Sequence, residues 1–186
     1  MEKIQTIFDR NWETDRRVNE KANVEFDFEG AVATEKLDGT NIRLTVRSGT
    51  IVRVEKRRNP TKIQKQKGIK EPWYVDADDR DPQDKWVFDA VNNTDFLNVP
   101  DGEWSAEAIG KNIQANPLNL PDNTVFIFSL PAWRERITLT DVPNTYEALK
   151  AWLPAQKSKI GIDVGIEGIV WHHPNGQRVK IKVKDF

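Results

Sequence analysis

Thr34-Glu35-Lys36-Leu37-Asp38-Gly39-Thr40-Asn41 runs directly into Ile42-Arg43-Leu44-Thr45-Val46-Arg47. In the second stretch apolar and polar residues alternate, the period of a strand with one buried face. Ser48-Gly49 predicts a turn, and Ile51, Val52 and Val54 a return strand, so residues 41–56 read as a hairpin. The first stretch puts a lysine, followed by x-Asp-Gly, at the mouth of that hairpin. A lysine amine attacks phosphorus once it has lost its proton, which takes dry or cationic surroundings. A single Lys-x-Asp-Gly is weak evidence, because the same residues are common in surface turns. The rest of the chain decides its meaning.

The chain ends on a second hairpin. Residues 165–173 and 177–184 flank Pro174-Asn175-Gly176, and Asn-Gly is the strongest two-residue turn signal. A turn at Asn175-Gly176 sets Trp171 opposite Lys180, Ile169 opposite Lys182 and Glu167 opposite Lys184. Lys180, Lys182 and Lys184 would then share a face with Glu167, Ile169 and Trp171. Val179, Ile181 and Val183 would join Gly168 and Val170 on a core face. A lysine ladder also protects an edge strand, but edge protection does not account for Glu167 and Trp171 on that side.

Between the hairpins, Asp81-Pro82-Gln83-Asp84 reads as a helix start, with Asp81 as cap and Pro82 in the first turn. Trp86, Val87, Ala90 and Val91 follow at helical spacing. Residues 102–107 restart an extended segment, and residues 124–130 read as an apolar strand. Asn144-Thr145-Tyr146-Glu147 resembles a capping box, opening a helix that carries Leu149, Trp152 and Leu153. Hairpins dominate and regular βαβ alternation is missing, so the expected class is α+β with mainly antiparallel sheets. No linker separates folding units, and residues 1–186 are expected to form one domain.

Composition narrows the function. The 186 residues are 38% hydrophobic with seven Trp, enough for a real core, and 31% charged. Cysteine is absent, which excludes disulfides, a thiol nucleophile and cysteine-bound metals. No apolar run can span a bilayer and no apolar stretch follows the first residues, so no membrane association and a cytoplasmic location are expected. Net charge is −1. Its distribution is uneven: Arg53, Lys56, Arg57, Arg58, Lys62, Lys65, Lys67 and Lys70 face only Glu55, while residues 76–101 are rich in Asp. The basic segment suits phosphates. The Asp76–Asp84 cluster lacks the EF-hand glycine and closing glutamate and reads as a solvated loop. No P-loop and no GxGxxG occurs.

These parts suit attack of Lys36 on the α-phosphate of a nucleoside triphosphate. Lys180 and Lys182 would supply neighbouring cations, which favour a neutral amine and offset phosphate charge. Glu103 and Glu167 are candidate holders of a divalent cation, and Phe126 and Phe128 candidate platforms for a base.

At this point the chain resembles the adenylyltransferase domain of ATP-dependent RNA ligases. These belong to the covalent nucleotidyltransferases, together with DNA ligases and mRNA capping enzymes. Glu35-Lys36-Leu37-Asp38-Gly39-Thr40-Asn41 resembles motif I, whose lysine forms a phosphoramidate with AMP. Lys56-Arg57-Arg58-Asn59-Pro60 resembles the arginine element that contacts the ribose, with Arg58 favoured and Arg57 the alternative. Gly102-Glu103-Trp104 resembles motif III, whose glutamate binds the ribose. Residues 126–130 resemble motif IIIa, which implies Phe128 on the purine. Glu167-Gly168-Ile169-Val170 resembles motif IV, whose glutamate serves the metal, and Lys180-Ile181-Lys182 resembles motif V, with Lys182-Val183-Lys184 as the other register.

The resemblance implies a nucleotidyltransferase fold, antiparallel sheets flanked by helices around a central nucleotide pocket. It implies Lys36-AMP formed from ATP with Mg²⁺ or Mn²⁺, AMP transfer to an RNA 5′-phosphate, and attack by a 3′-hydroxyl. Glu35 would read the adenine, Asn41 would lie near the phosphates, and Asp38 and Gly39 would complete the nucleotide-contacting motif. Asp38 stands where many RNA ligases have His, and Ser129 where motif IIIa usually carries Asp. The sequence ends just after motif V with no OB domain, so an accessory protein is expected in place of a C-terminal domain. The basic segment 53–70 is expected to help hold the RNA strand. The rival readings are a DNA ligase or capping-type nucleotidyltransferase, and a non-catalytic module that binds ATP or RNA.

Overall fold

The pleat of residues 40–58 organises the largest of three sheets. The computed structural model describes residues 3–186. In chain order the strands are β1 (Gln5–Thr6), β2 (Phe8–Arg10), β3 (Val18–Ala22), β4 (Val32–Glu35), β5 (Thr40–Arg47), β6 (Thr50–Arg58), β7 (Trp73–Asp76), β8 (Gly102–Ile109), β9 (Thr124–Phe126), β10 (Gly168–His172) and β11 (Arg178–Lys182). The helices are short: α1 (Lys62–Gln66), α2 (Lys85–Asn92), α3 (Pro131–Glu135) and α4 (Tyr146–Trp152). The chain divides into two compact units, one of Asp38–Arg134 and one of Ile4–Leu37 with Glu135–Phe186. The class is α+β with antiparallel sheets, apart from one short parallel pair, and few helices. Among the described residues no helix is long and apolar enough to cross a membrane.

The first unit holds the order β7-β6-β5-β8-β9, every neighbour antiparallel. The expected hairpin is present. Ser48 and Gly49 take φ of 49° and 70°, the left-handed pair that matches a two-residue turn to strand twist. A bulge after Thr45 shifts the register, so Thr45 faces Arg53 and Val46 faces Ile51. Ile42, Leu44 and Val46 are buried against Val87 and Ala90 of α2, with Ala106, Ala108 and Val125 beside them. The opposite face of this sheet is polar.

Three local expectations need correction here. The strand after Thr124 stops at Phe126, and the chain then turns, with Leu130 N–H donating to Ile127 O at 3.1 Å. Ile127 and Leu130 are apolar because the turn tucks them into the core, not because they pair in a sheet. Helix α2 starts at Lys85, behind a turn in which the Asp81 carboxylate accepts from Gln83 N–H at 2.9 Å. Asp84 does not cap it. Its buried carboxylate accepts from Asp78 N–H at 3.0 Å and from the Lys56 ammonium at 2.5–2.6 Å, so this residue is no part of a solvated loop.

The second unit holds the sheet β1-β11-β10-β4, with β1 parallel to β11, and a separate β2-β3 pair. Leu149 and Leu153 bury against Ile169, Trp171, Val179 and Ile181. Helix α4 forms as expected, but Thr145 makes no side-chain cap bond. The terminal hairpin is shifted by one residue. Its loop is Pro174–Gly176, closed by His173 N–H to Gln177 O at 3.0 Å, and Gly176 takes a φ of 90°. A three-residue loop with glycine left-handed at its end is the next commonest hairpin connection. Gly168 therefore faces Lys182, Val170 faces Lys180 and Trp171 faces Val179. A one-residue slip exchanges faces: Ile169 and Trp171 are core, and Lys180 and Lys182 share their side with Gly168 and Val170. Lys184 leaves the ladder, exposed in the 3-10 turn Val183–Asp185.

Candidate active site

In the second unit, three strand ends bring Lys36, Glu167 and Lys182 together. Lys36 follows β4, and its backbone N–H donates to Gly168 O at 2.9 Å. Glu167 precedes β10, and its carbonyl accepts from Val183 N–H at 2.9 Å. Lys182 closes β11 opposite Gly168. A Cβ on Gly168 would stand 2.2 Å from Ile181 O and 2.7 Å from Lys182 Cα, so only glycine lets β11 run this close. The Glu167 carboxylate then bridges two cations: Oε2 accepts from Lys36 Nζ at 2.6 Å, and Oε1 accepts from Lys182 Nζ. The three side chains are 23%, 11% and 21% exposed. Burial alone would raise the Glu167 carboxyl; the charge of Lys36 and the hydrogen bonds of both lysines outweigh it and hold it below its ordinary value. Lys180 lies two residues before Lys182 on the same face, half-buried.

Glu35 alternates with Lys36 and is buried, 2% exposed. Its carboxylate accepts from Ser158 Oγ at 2.5 Å and from Lys159 N–H at 2.7 Å. Burial pushes its carboxyl up, against the pull of those two bonds. In this state both oxygens tie β4 to the loop at residues 158–159.

In the first unit, alternation sorts the remaining candidates. Asn41, Arg43 and Thr45 of β5 share the polar face with Glu55 and Arg57 of β6, Tyr74 of β7, and Glu103, Ser105 and Glu107 of β8. Tyr74 Oη donates to Asn41 Oδ1 at 2.8 Å, and Asn41 Nδ2 donates to Glu107 Oε2 at 3.2 Å. Arg43 makes a two-pronged pair with Glu55 at 2.6 and 2.8 Å and lies over the Tyr74 ring at 4.7 Å. Arg57 has its Nε buried without a protein hydrogen-bond partner, as does Thr45 Oγ1. Arg58 points to the other face, exposed, opposite Trp73. Glu103 is on the polar face but half exposed, its nearest cation Arg43 at 3.6 Å. Asp38 is half-buried. Gly39 is required: a Cβ there would meet Ala108 O at 2.3 Å. Phe128 is half-buried on the turn after β9.

Sequence reasoning overlooked Glu107 and Tyr74. Glu107 follows Glu103 at an even spacing on β8, which the strand period alone marks as the same face. Tyr74 carries no such signal, because β7 pairs with β6 only after a long connection. Among the described residues no group of three or more His, Asp or Glu side chains forms a metal site. Glu167 is one carboxylate between two ammonium groups, which does not make a cation site by itself.

No protein-family model matches the chain, and no curated protein matches it. Among solved structures the fold is similar to a Naegleria gruberi RNA ligase. An apo mutant of that ligase matches at a TM-score of 0.49 and 18% identity, over 83% of this chain and 49% of that one. Its form with PPi matches at 0.47 and 17%, over 83% and 49%. A mutant with ATP and Mn matches at 0.47 and 15%, over 99% and 61%. The chain thus spans about half the length of most of the solved chains it matches.

Proposed function

We propose that this chain is the adenylyltransferase part of an ATP-dependent RNA ligase, with Lys36 as nucleophile. One observation carries the reading: the lysine of the Lys-x-Asp-Gly stretch meets Glu167 and Lys182, residues of two further family-like motifs, in a single half-buried cluster.

In the first step, neutral Lys36 Nζ attacks the α-phosphorus of ATP. A P–N bond forms, the bond from the α-phosphorus to the bridging oxygen breaks, and pyrophosphate leaves with the electron pair. The ammonium proton of Lys36 must depart first, to water, while the Glu167 carboxylate at 2.6 Å orients the amine. Lys182, and Lys180 beside it, offset the charge that builds on the phosphoryl oxygens. Glu167 is the carboxylate that would contact a divalent cation bound to the triphosphate, and that cation would offset phosphate charge.

Within the first unit, the nucleotide-contact roles in this reading are those that the family resemblance implies. Asn41 serves the phosphates, its amide oriented by Tyr74, and Phe128 the base. Ribose contacts fall to Glu103 and to Arg57, whose unpartnered Nε lies on the polar face. Glu35 reads the adenine if loop 158–159 yields to it. The later steps would be AMP transfer to an RNA 5′-phosphate and sealing by a 3′-hydroxyl.

The test is intact mass after incubation with ATP and Mg²⁺. The expected product carries one added AMP, mapped by peptide fragmentation to Lys36. Unchanged mass in protein that also arrives free of AMP would leave a non-catalytic nucleotide-binding module.

A further inference from the structure

The basic segment predicted from sequence divides into two parts of different character. Arg53 pairs with Asp76 at 2.7 Å, and Lys56 is buried against Asp84. Arg53 is paired at the surface and Lys56 inside the fold. Arg58, Lys62, Lys65, Lys67 and Lys70 follow with no acidic residue between them. Among the described residues none of these five has an acidic partner within ion-pair distance.

Packing does not explain this stretch. Helix α1 has no buried residue, and its one apolar side chain, Ile63, is 65% exposed. A five-residue helix of this kind is marginal alone; its Thr61 capping box, not a core contact, sets its start. Trp73 starts the edge strand β7 and is exposed, although an indole usually buries its area. It pairs with Arg58, so ring and guanidinium share one face of the sheet. That face is the reverse of the one carrying Asn41 and Glu107.

We infer that the connection from Arg58 to Trp73 is a docking surface for a single-stranded segment of RNA, with lysines on successive phosphates and Trp73 as a base-stacking platform. The inference rests on the RNA ligase reading for the choice of RNA. Charge complementarity supports the occupant: a chain of net charge −1 concentrates five unpaired cations in thirteen residues beside an exposed indole. Cations spaced along an element with an aromatic at its end form the pattern that binds unpaired strands. A membrane surface is disfavoured, since α1 offers a single apolar residue where an interfacial helix needs an apolar face.

The experiment is fluorescence anisotropy with a short 5′-phosphorylated single-stranded RNA across a salt series, on the full chain. Replacing Lys62, Lys65 and Lys67 by Ala should weaken binding and reduce the salt slope by about 2, at roughly 0.7 per lysine. Trp73→Ala should weaken binding roughly five- to hundredfold with the slope unchanged, and Trp73→Phe should restore most of it. The lysine variant removes no buried contact, so it reads the proposal even if Trp73→Ala fails to fold.

Unchanged affinity and slope in the lysine variant would overturn the inference. So would lysine-dependent binding to phosphatidylserine-containing vesicles with RNA affinity unaltered. Formation of lysyl-AMP by the wild type reads the ligase proposal separately. Lysine-dependent RNA binding without lysyl-AMP would keep this surface and sink the ligase. Lysyl-AMP with RNA binding indifferent to the lysines would do the reverse.

Discussion

Glu167→Ala should destabilise the second unit, because it leaves the Lys36 and Lys182 ammonium groups facing each other. At an effective dielectric near 20, each lysine gains about 4 kcal/mol from a carboxylate about 4 Å away, before desolvation is counted. Removing one member of a fully buried pair costs about 3–5 kcal/mol. The lysines here are 23% and 21% exposed, so water recovers part of that loss. A net cost of about 2–3 kcal/mol follows, or a fall in Tm of about 4–12 °C for a chain of this size. The assay is thermal unfolding followed by circular dichroism, for wild type, Glu167→Ala, Lys182→Ala and the double variant. If the carboxylate is the bridge, Glu167→Ala should cost less in the Lys182→Ala background, by about 1 kcal/mol or more. A Tm within about 1 °C of wild type, or strict additivity, would refute the bridge.

The Glu35 and Glu167 carboxyls should respond to pH with opposite signs. The Glu167 carboxyl is held low in the fold, so its stabilisation is present above the ordinary value of 4.5 and lost as pH falls through its lowered one. The gap in Tm between wild type and Glu167→Gln should therefore close in acid. The Glu35 carboxyl is raised, so its contribution is present below 4.5 and lost as pH climbs through the raised value. Wild type should lose stability relative to Glu35→Gln across that climb, read as Tm against pH. Gly168→Ala should fail to fold the second unit, or lose about 3 kcal/mol or more, because its methyl meets the backbone of β11 at 2.2 Å; proteolysis of the purified variant reports it. Asp84→Ala should cost somewhat less than the about 3–5 kcal/mol of a fully stranded buried charge, because the Lys56 ammonium keeps Asp81 at 3.6 Å; urea unfolding measures it.

Much of the frame was legible in the sequence. The 41–56 hairpin and its Ser48-Gly49 turn follow from strict alternation and a left-handed pair. The lysine of the Lys-x-Asp-Gly stretch does lie beside Glu167 and Lys182. Their meeting was reached through an incorrect register, however. An Asn-Gly pair announces a hairpin without saying whether two or three residues form its loop. The extra residue moved Ile169 and Trp171 to the core, where their apolarity belongs. Glu167 still reaches Lys182 because it lies just outside the strand, where the pleat no longer fixes its direction. Run length misled at residues 127–130, where burial comes from a turn. The Lys56–Asp84 pair, across 28 positions, left no mark that distinguished Asp84 from its solvated neighbours. Which of Arg57 and Arg58 shares the face of Asn41 and Glu107 follows from the pairing of β6 with β5 and β7, which only the fold provides.

The central claim is a covalent bond between Lys36 and AMP. The direct measurement uses ATP labelled at the α-phosphate in one sample and at the γ-phosphate in another, with Mg²⁺, on wild type and Lys36→Arg. A Lys36-AMP bond leaves α-label on denatured wild type, no γ-label, and neither on Lys36→Arg, which keeps the positive charge without the nucleophile. Retention of α-label by Lys36→Arg would move the chemistry to another residue. Absence of label from wild type whose intact mass shows no AMP would contradict the claim outright.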